Sequence, residues 1–271
     1  LSATTDANNG VVNLGSLAVD GTVALATNGN GAATVVNDAG LAFAASTVTG
    51  ALSATATTGD ITDSGTQTIT GAATYITAAT GSNIILDDAS NAYAAQVTFK
   101  ADTGGDEAFG NLTFVDTGGI KLDANADAAG DLFIDGSTDG AVGGNLTVTS
   151  VTGNVTQGVA LAVSGTTSVT TSANDATITL SNTSNAFTGA ITLTTNDGSG
   201  TDADVTIDGG TTALDIAAST VDGDLTLTSG NASGITDSGT LTIGGNLSAT
   251  TDANNGVVNL GSLAVDGTVA L

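Results

Sequence analysis

The chain has 271 residues, with 27 Asp and Glu against 2 Lys and Arg, a formal net charge of −25, and no His, Cys, Pro, Met or Trp. These absences exclude Ser/His/Asp and Cys/His nucleophiles, zinc, copper, haem and iron–sulfur ligand sets, and disulfides. With Lys100 and Lys121 as its cationic side chains it has little with which to bind nucleic acid, and an anionic membrane repels it, so neither nucleic-acid binding nor direct membrane insertion is expected.

Hydrophobic residues make up 40%, too many for a disordered acidic tail, while aromatics make up 3%. The expected core is therefore narrow and built of Val, Ile, Leu and Ala. With no Met, residue 1 reads as an internal position of a longer protein. In chain order, block 1–49 opens with Leu1 to Leu25, which reappear letter for letter as Leu247 to Leu271, a tandem repeat of 246 residues. Block 50–143 opens GALSATATTGDITDSGTQTITG from Gly50. Block 144–222 opens GNLTVTSVTGNVTQGVALAVSG from Gly144, and block 223–271 opens GDLTLTSGNASGITDSGTLTIGG from Gly223. These are one motif, with its marker at Leu52, Leu146 and Leu225. Ile61 and Gly71, Val155 and Gly165, and Ile235 and Gly245 are each ten positions apart. Two blocks share Asn91-Ala92-Tyr93 and Asn185-Ala186-Phe187; two share AAST at Ala44 to Thr47 and Ala217 to Thr220. Repetition of this kind predicts a solenoid.

Within the blocks, segments such as Leu146-Thr147-Val148, Ile178-Thr179-Leu180, Leu225-Thr226-Leu227 and Leu241-Thr242-Ile243 alternate with period two, the signature of strands. Leu146, Val148, Leu161, Val163, Ile178, Leu180, Leu225, Leu227, Leu241 and Ile243 should face inward and their Thr neighbours outward. Asp-Gly, Asn-Gly, Ser-Gly and Gly-Gly pairs supply the turns. The expected fold is all-β: a right-handed parallel β-solenoid running continuously over residues 1–271. At ~20 to 25 residues per coil and ~4.8 Å per strand spacing, one repeat should make about ten to twelve coils and advance roughly 50 to 60 Å.

The run STVDGDLTLTSGNASGITDSGTLTIGGNL, with ATITLSNTSNAFTGAITLTT in a sister block, resembles the strand repeats of filamentous-haemagglutinin-like and autotransporter-type giant adhesins of Gram-negative bacteria. The resemblance covers nearly all of the chain, less well residues 99 to 142. It implies a right-handed β-helix on the bacterial cell surface, extracellular, serving attachment or filament formation, and it carries over no catalytic residues. The expected role is a stiff spacer in a surface fibre, whose partners are further copies of the same repeat in the same chain.

The alternative is that the repeat surface itself binds a partner. Residues 99 to 139 hold Phe99, Phe109, Phe114 and Phe133 among acids that include Asp102, Asp106 and Glu107, so they form either a wider coil filled by aromatics or a protruding partner surface. The wider coil is favoured, because aromatics are more often core than site. Asp197, Asp202 and Asp204, in NDGSGTDAD, offer carboxylates of the kind Ca²⁺ takes, although the pattern matches neither an EF-hand loop nor a calcium-binding nonapeptide. No other cofactor is expected. The acids approach one net charge per ~2.4 Å of axis, so divalent cations are expected to bridge neighbouring fibres. Without Arg, His or Trp around a carboxylate pair, a polysaccharide-active β-helix is not expected, nor any enzyme activity. Outward Thr pairs such as Thr192 with Thr194 resemble ice-binding arrays, but blocks of unequal length argue against a flat one.

Overall fold

The computed structural model describes residues 1–101, 110–122, 131–135, 141–196, 198, 203–253 and 255–271, with the backbone path alone at 131–135 and 141. Among these residues there is no helix, only strands of two to six residues, and the chain makes about 11 turns of a parallel β-solenoid. It divides into two units, Leu1–Gly118 with Asp123–Gly143, and Gly119–Leu122 with Gly144–Leu271.

Each coil carries three strands, usually one of about five residues followed by two shorter ones. In the first unit Leu52–Ala56, Ile61–Asp63 and Gln67–Ile69 make one coil, and Ala73–Thr77, Ile84–Leu86 and Ala92–Tyr93 the next. The long strands stack as Val12–Leu17, Ala33–Asn37, Leu52–Ala56, Ala73–Thr77, Val97–Ala101 and Asp131–Asp135, in register but for a shift between Leu14 and Leu17. In the second unit one stack runs Ile120–Leu122, Val155–Gln157, Ile178–Leu180, Val205–Asp208, Leu225–Ser229 and Leu247–Thr251, and another runs Leu146–Ser150, Thr167–Thr171 and Ile191–Thr194. A parallel pair needs a long return path. Here the other two sides of the coil supply it, so no helix is required.

Coil length varies more than the expected 20 to 25 residues. In the first unit, register partners lie 19 residues apart at Ala33 and Leu52 but 35 apart at Val97 and Leu132. In the second they lie 20 apart at Val205 and Leu225 and 35 apart at Ile120 and Val155. The strands are paired in parallel at both spacings.

The alternation places side chains as the period-two pattern requires. None of the ten residues expected to face inward, from Leu146 to Ile243, is more than 1% exposed, whereas Thr147, Thr149, Thr179, Thr192, Thr226 and Thr242 are half-buried or exposed. Each buried Val, Leu or Ile contributes about 1.5 to 3 kcal/mol relative to exposure.

The glycines that open and close the sequence blocks form columns. Gly50 N–H donates to Gly31 O (2.9 Å) and Gly71 N–H to Gly50 O (3.2 Å); Gly165 and Gly189 repeat the pattern on Gly144 and Gly165. A Cβ on Gly71 would lie 2.4 Å from the carbonyl carbon of Gly50, so only glycine lets these backbones approach.

Candidate functional site

The turns are bridged from coil to coil by short polar side chains. Asp204 Oδ1 accepts the N–H of Asp224 (2.8 Å), Asp224 Oδ1 that of Asn246 (2.6 Å), and Asn246 Oδ1 that of Thr268 (2.9 Å). In the first unit Asp60 serves Asn83 and Asn83 serves Asn111, both at 2.7 Å. Asp and Asn both serve in these ladders because each offers a carbonyl-like oxygen to the backbone N–H; where Asn follows Asp its amide also donates back to the carboxylate, Asn83 Nδ2 to Asp60 Oδ2 and Asn246 Nδ2 to Asp224 Oδ1, both at 3.1 Å. They account for much of the chain's Asn and Asp at turns: each side-chain acceptor satisfies an N–H that a turn would leave without a strand partner.

Asp204, a candidate Ca²⁺ ligand, is exposed and belongs to such a ladder. Its proposed companions Asp197 and Asp202 lie outside the described residues, as do Phe109, Asp102, Asp106 and Glu107 of the candidate partner surface. Among the described residues no three His, Cys, Asp or Glu are grouped to hold a metal ion.

The second polar set is buried. In the first unit Asn91, fully buried, accepts the Gln67 N–H at Oδ1 (2.7 Å) and donates from Nδ2 to Asp63 Oδ2 (2.7 Å). Two residues on, the Tyr93 N–H donates to Asp116 Oδ1 (3.1 Å), and Asp116 is only 1% exposed, with its Oδ2 lacking a partner. In the second unit Asn185 accepts the Leu161 N–H (2.8 Å) and exchanges hydrogen bonds with the Gln157 amide, and the Phe187 N–H donates to Thr212 Oγ1 (3.2 Å). The serine of each AAST motif works the same way. Ser46 Oγ accepts the Leu25 N–H (3.1 Å) and Ser219 Oγ that of Leu193 (3.0 Å), each donating in turn to the alanine carbonyl two residues before it.

Burial pushes the Asp116 carboxyl above its ordinary value of 3.8, against the hydrogen bonds it accepts from backbone N–H groups. Burial likewise raises Asp63, with the Asp87 charge adding to the shift and the Asn91 hydrogen bond opposing it. Tyr75 and Tyr93 share a buried hydroxyl–hydroxyl bond of 3.0 Å, and burial drives both phenols far upward. They belong to an aromatic column, in which Tyr75 touches Phe43 edge-on, stacks on Phe99 at 5.8 Å and meets Tyr93, while Phe114 contacts both Phe99 and Tyr93. Phe99 and Phe114 are therefore core, at 0 and 1% exposure. Of the two readings of that region, the aromatic-filled coil holds at these two positions.

On the outside, aligned hydroxyl rows run across the coils. In the second unit Thr149, Thr170, Thr194, Thr220 and Thr242 are register partners in succession, as are Thr179, Thr206, Thr226 and Ser248. The rows run through coils of unequal length, register partners lying 21 residues apart at Thr149 and Thr170 and 26 apart at Thr194 and Thr220. A groove of about 340 Å³ in the first unit, lined by Val19, Asp20, Leu41, Ala42, Asp60 and Thr62, is open and acidic.

The buried polar residues were visible in the sequence only as the repeated Asn-Ala-aromatic and AAST steps. Their signal was a polar residue at an inward position of the period-two pattern, Asn91 two before Tyr93 and Ser46 two before Val48.

Comparison with known proteins finds one family model, described as Repeats of unknown function (DUF5649), matching residues 30–100, 109–194 and 202–271. No curated protein and no solved structure matches the chain.

Proposed function

The chain belongs to that family of repeats, and from this premise we propose that it serves as a stiff, extracellular spacer in a bacterial surface fibre, a repeat-built β-solenoid whose work is to set distance and hold shape. The observation that carries the reading is the ladder of buried and turn side chains. Asn91, Asn185, Ser46, Ser219, Asp204 and Asp224 each accept a backbone N–H from the adjoining coil, the arrangement of a load-holding scaffold. No reaction is assigned to it. Its acids are proposed to gather divalent cations diffusely, bridging neighbouring fibres.

Electron microscopy of chains carrying one, two and four copies of the 246-residue repeat tests this. Rods that lengthen by about 50 Å per copy, the rise of some eleven strand spacings, support it; beads joined by flexible linkers would overturn it. The aligned threonine rows favour a second reading, an ordered-hydration face that binds ice, and absence of thermal hysteresis in the purified chain would remove it.

A further inference from the structure

The corner ladders hold asparagine at exposed positions, and the residue that follows each asparagine decides how its side chain ages. An asparagine amide is lost when the backbone nitrogen of the next residue attacks Cγ and closes a ring, a step governed by how near and how free that nitrogen is. Most ladder asparagines are guarded. Asn83, Asn145, Asn154 and Asn246 precede Ile84, Leu146, Val155 and Leu247, branched residues whose N–H each donates to a carbonyl of the next coil at 2.8 to 3.0 Å.

Asn9, Asn28, Asn30 and Asn255 precede glycine instead. At three of these steps the glycine N–H is taken up by the backbone carbonyl three residues before it: Gly10 donates to Ala7 O (2.9 Å), Gly31 to Asn28 O (3.2 Å) and Gly256 to Ala253 O (3.1 Å). Gly29 differs, because its N–H donates to Oδ1 of Asn28 itself (2.8 Å). A carbonyl oxygen lies about 1.23 Å from its carbon, so the Gly29 nitrogen is within about 4 Å of Asn28 Cγ. Rotation about the soft χ2 of asparagine turns the face of that carbon toward it. Gly29 has no Cβ to hinder the approach, and its φ of 69° favours glycine there. Asn28, Gly29 and Asn30 are all exposed, so water and hydroxide reach the step.

We propose that the step from Asn28 to Gly29 is a self-modification site, at which the folded chain converts Asn28 to aspartate and isoaspartate with water as the only co-reactant. The Gly29 nitrogen bonds to Cγ and gives up its proton through water, while the amide C–N bond breaks and its nitrogen leaves with that proton as ammonia. Water then opens the succinimide at either carbonyl, and nothing is oxidised or reduced. Opening at the Asn28 backbone carbonyl carbon reroutes the main chain through Cβ and Cγ. The carbonyl that accepts the N–H of Asn9 (2.9 Å) and of Gly31 then becomes a carboxylate. Either product adds a negative charge to an exposed corner. The site is independent of the spacer reading, which concerns the shape of the rod.

The purified chain is incubated in mildly alkaline buffer, folded and in urea, and conversion at each asparagine–glycine step is followed by mass spectrometry after acid-protease digestion. Electron-transfer fragmentation separates Asn28 from Asn30, and isoaspartate methyltransferase labels the peptide that contains both. In urea the four steps should convert at comparable rates. In the folded chain Asn9, Asn30 and Asn255 should slow several-fold, leaving Asn28 several-fold ahead of each. Asn28→Gln, whose longer side chain closes the ring poorly, should lose most of the methyl label in that peptide, and Asn30→Gln should keep it; circular dichroism checks that both variants retain their strand content. Conversion of Asn28 slowed on folding to the rate of Asn30, or a methyl label unchanged in Asn28→Gln, overturns the assignment. Either outcome leaves the rod-length test of the spacer reading untouched.

Discussion

At equivalent places in their coils, each 94 residues apart, Tyr75, Tyr93 and Phe99 of the first unit correspond to Val169, Phe187 and Leu193 of the second. The frames are the same: Ala73–Thr77 and Thr167–Thr171 are both five-residue strands with the same alternating burial. The fillings differ. Aromatics interlock in the first unit, while branched aliphatics line the second, and the polar partners differ with them. Asn91 and Tyr93 lean on the carboxyls of Asp63 and Asp116, whereas Asn185 and Phe187 lean on the neutral Gln157 and Thr212. The coil path is thus set by what the two share, the glycine columns and the buried asparagine and serine, and the filling is adjusted to fit.

The largest test of that division is in the core. Tyr75→Ala should cost about 4 kcal/mol and Val169→Ala about half that, since an aromatic leaves the larger cavity. Urea unfolding with hydrogen exchange resolved by unit checks this, and equal costs would mean that the fillings matter less than the frame. Next come the glycines, where the two units should agree: Gly71→Ala and Gly165→Ala should each lose roughly 2 to 3 kcal/mol, because both would press a methyl into backbone of the adjoining coil. Ser46→Ala and Ser219→Ala should each cost about 1 to 2 kcal/mol by orphaning a buried N–H.

Acidity separates the units again. The folded-state values of Asp63 and Asp116 are raised above 3.8, so their contribution is greatest below that pH and is lost as pH climbs through the raised values. Mild acid should therefore steady the first unit relative to the second. Asp116→Asn should flatten the pH dependence of the first unit's denaturant midpoint, and Gln157→Asp should create such a dependence in the second. The smallest effect is expected at Asp204→Asn, within about 0.5 kcal/mol, because the ladder uses one carbonyl-like oxygen that asparagine keeps. A large loss there would point to a role for the charge, and calcium titration of the variant would locate it.

Strand positions and the facing of Leu146, Val148, Ile178 and Leu225 were legible because period two depends only on local chemistry. The glycine columns were not legible, since nothing in the letters says that Gly31, Gly50 and Gly71 lie over one another. Asp63 and Asp116 were unreadable as buried groups for the same reason. Their burial depends on coils 23 to 28 residues away, reached through turns of unpredictable length. Asp204 was legible as a candidate Ca²⁺ ligand because acids in a glycine-bearing turn suggest cations. Its acceptance of the Asp224 N–H from the next coil leaves no distinct trace in one sequence.

The tolerance of unequal coils has a consequence for how such a molecule is measured out. In the first unit register partners 19 residues apart (Ala33 and Leu52) and 24 apart (Ala73 and Val97), and in the second 20 apart (Val205 and Leu225) and 24 apart (Thr167 and Ile191), are each separated by the same single strand spacing, about 4.8 Å. Reach along the axis is thus counted in turns and is blind to the number of residues in each, while every insertion is spent sideways. A lineage can elaborate the corners of this chain, adding charge, bulk or a loop, without altering the rise per turn. For the engineer, the corners are places to graft a peptide while the ruler keeps its scale.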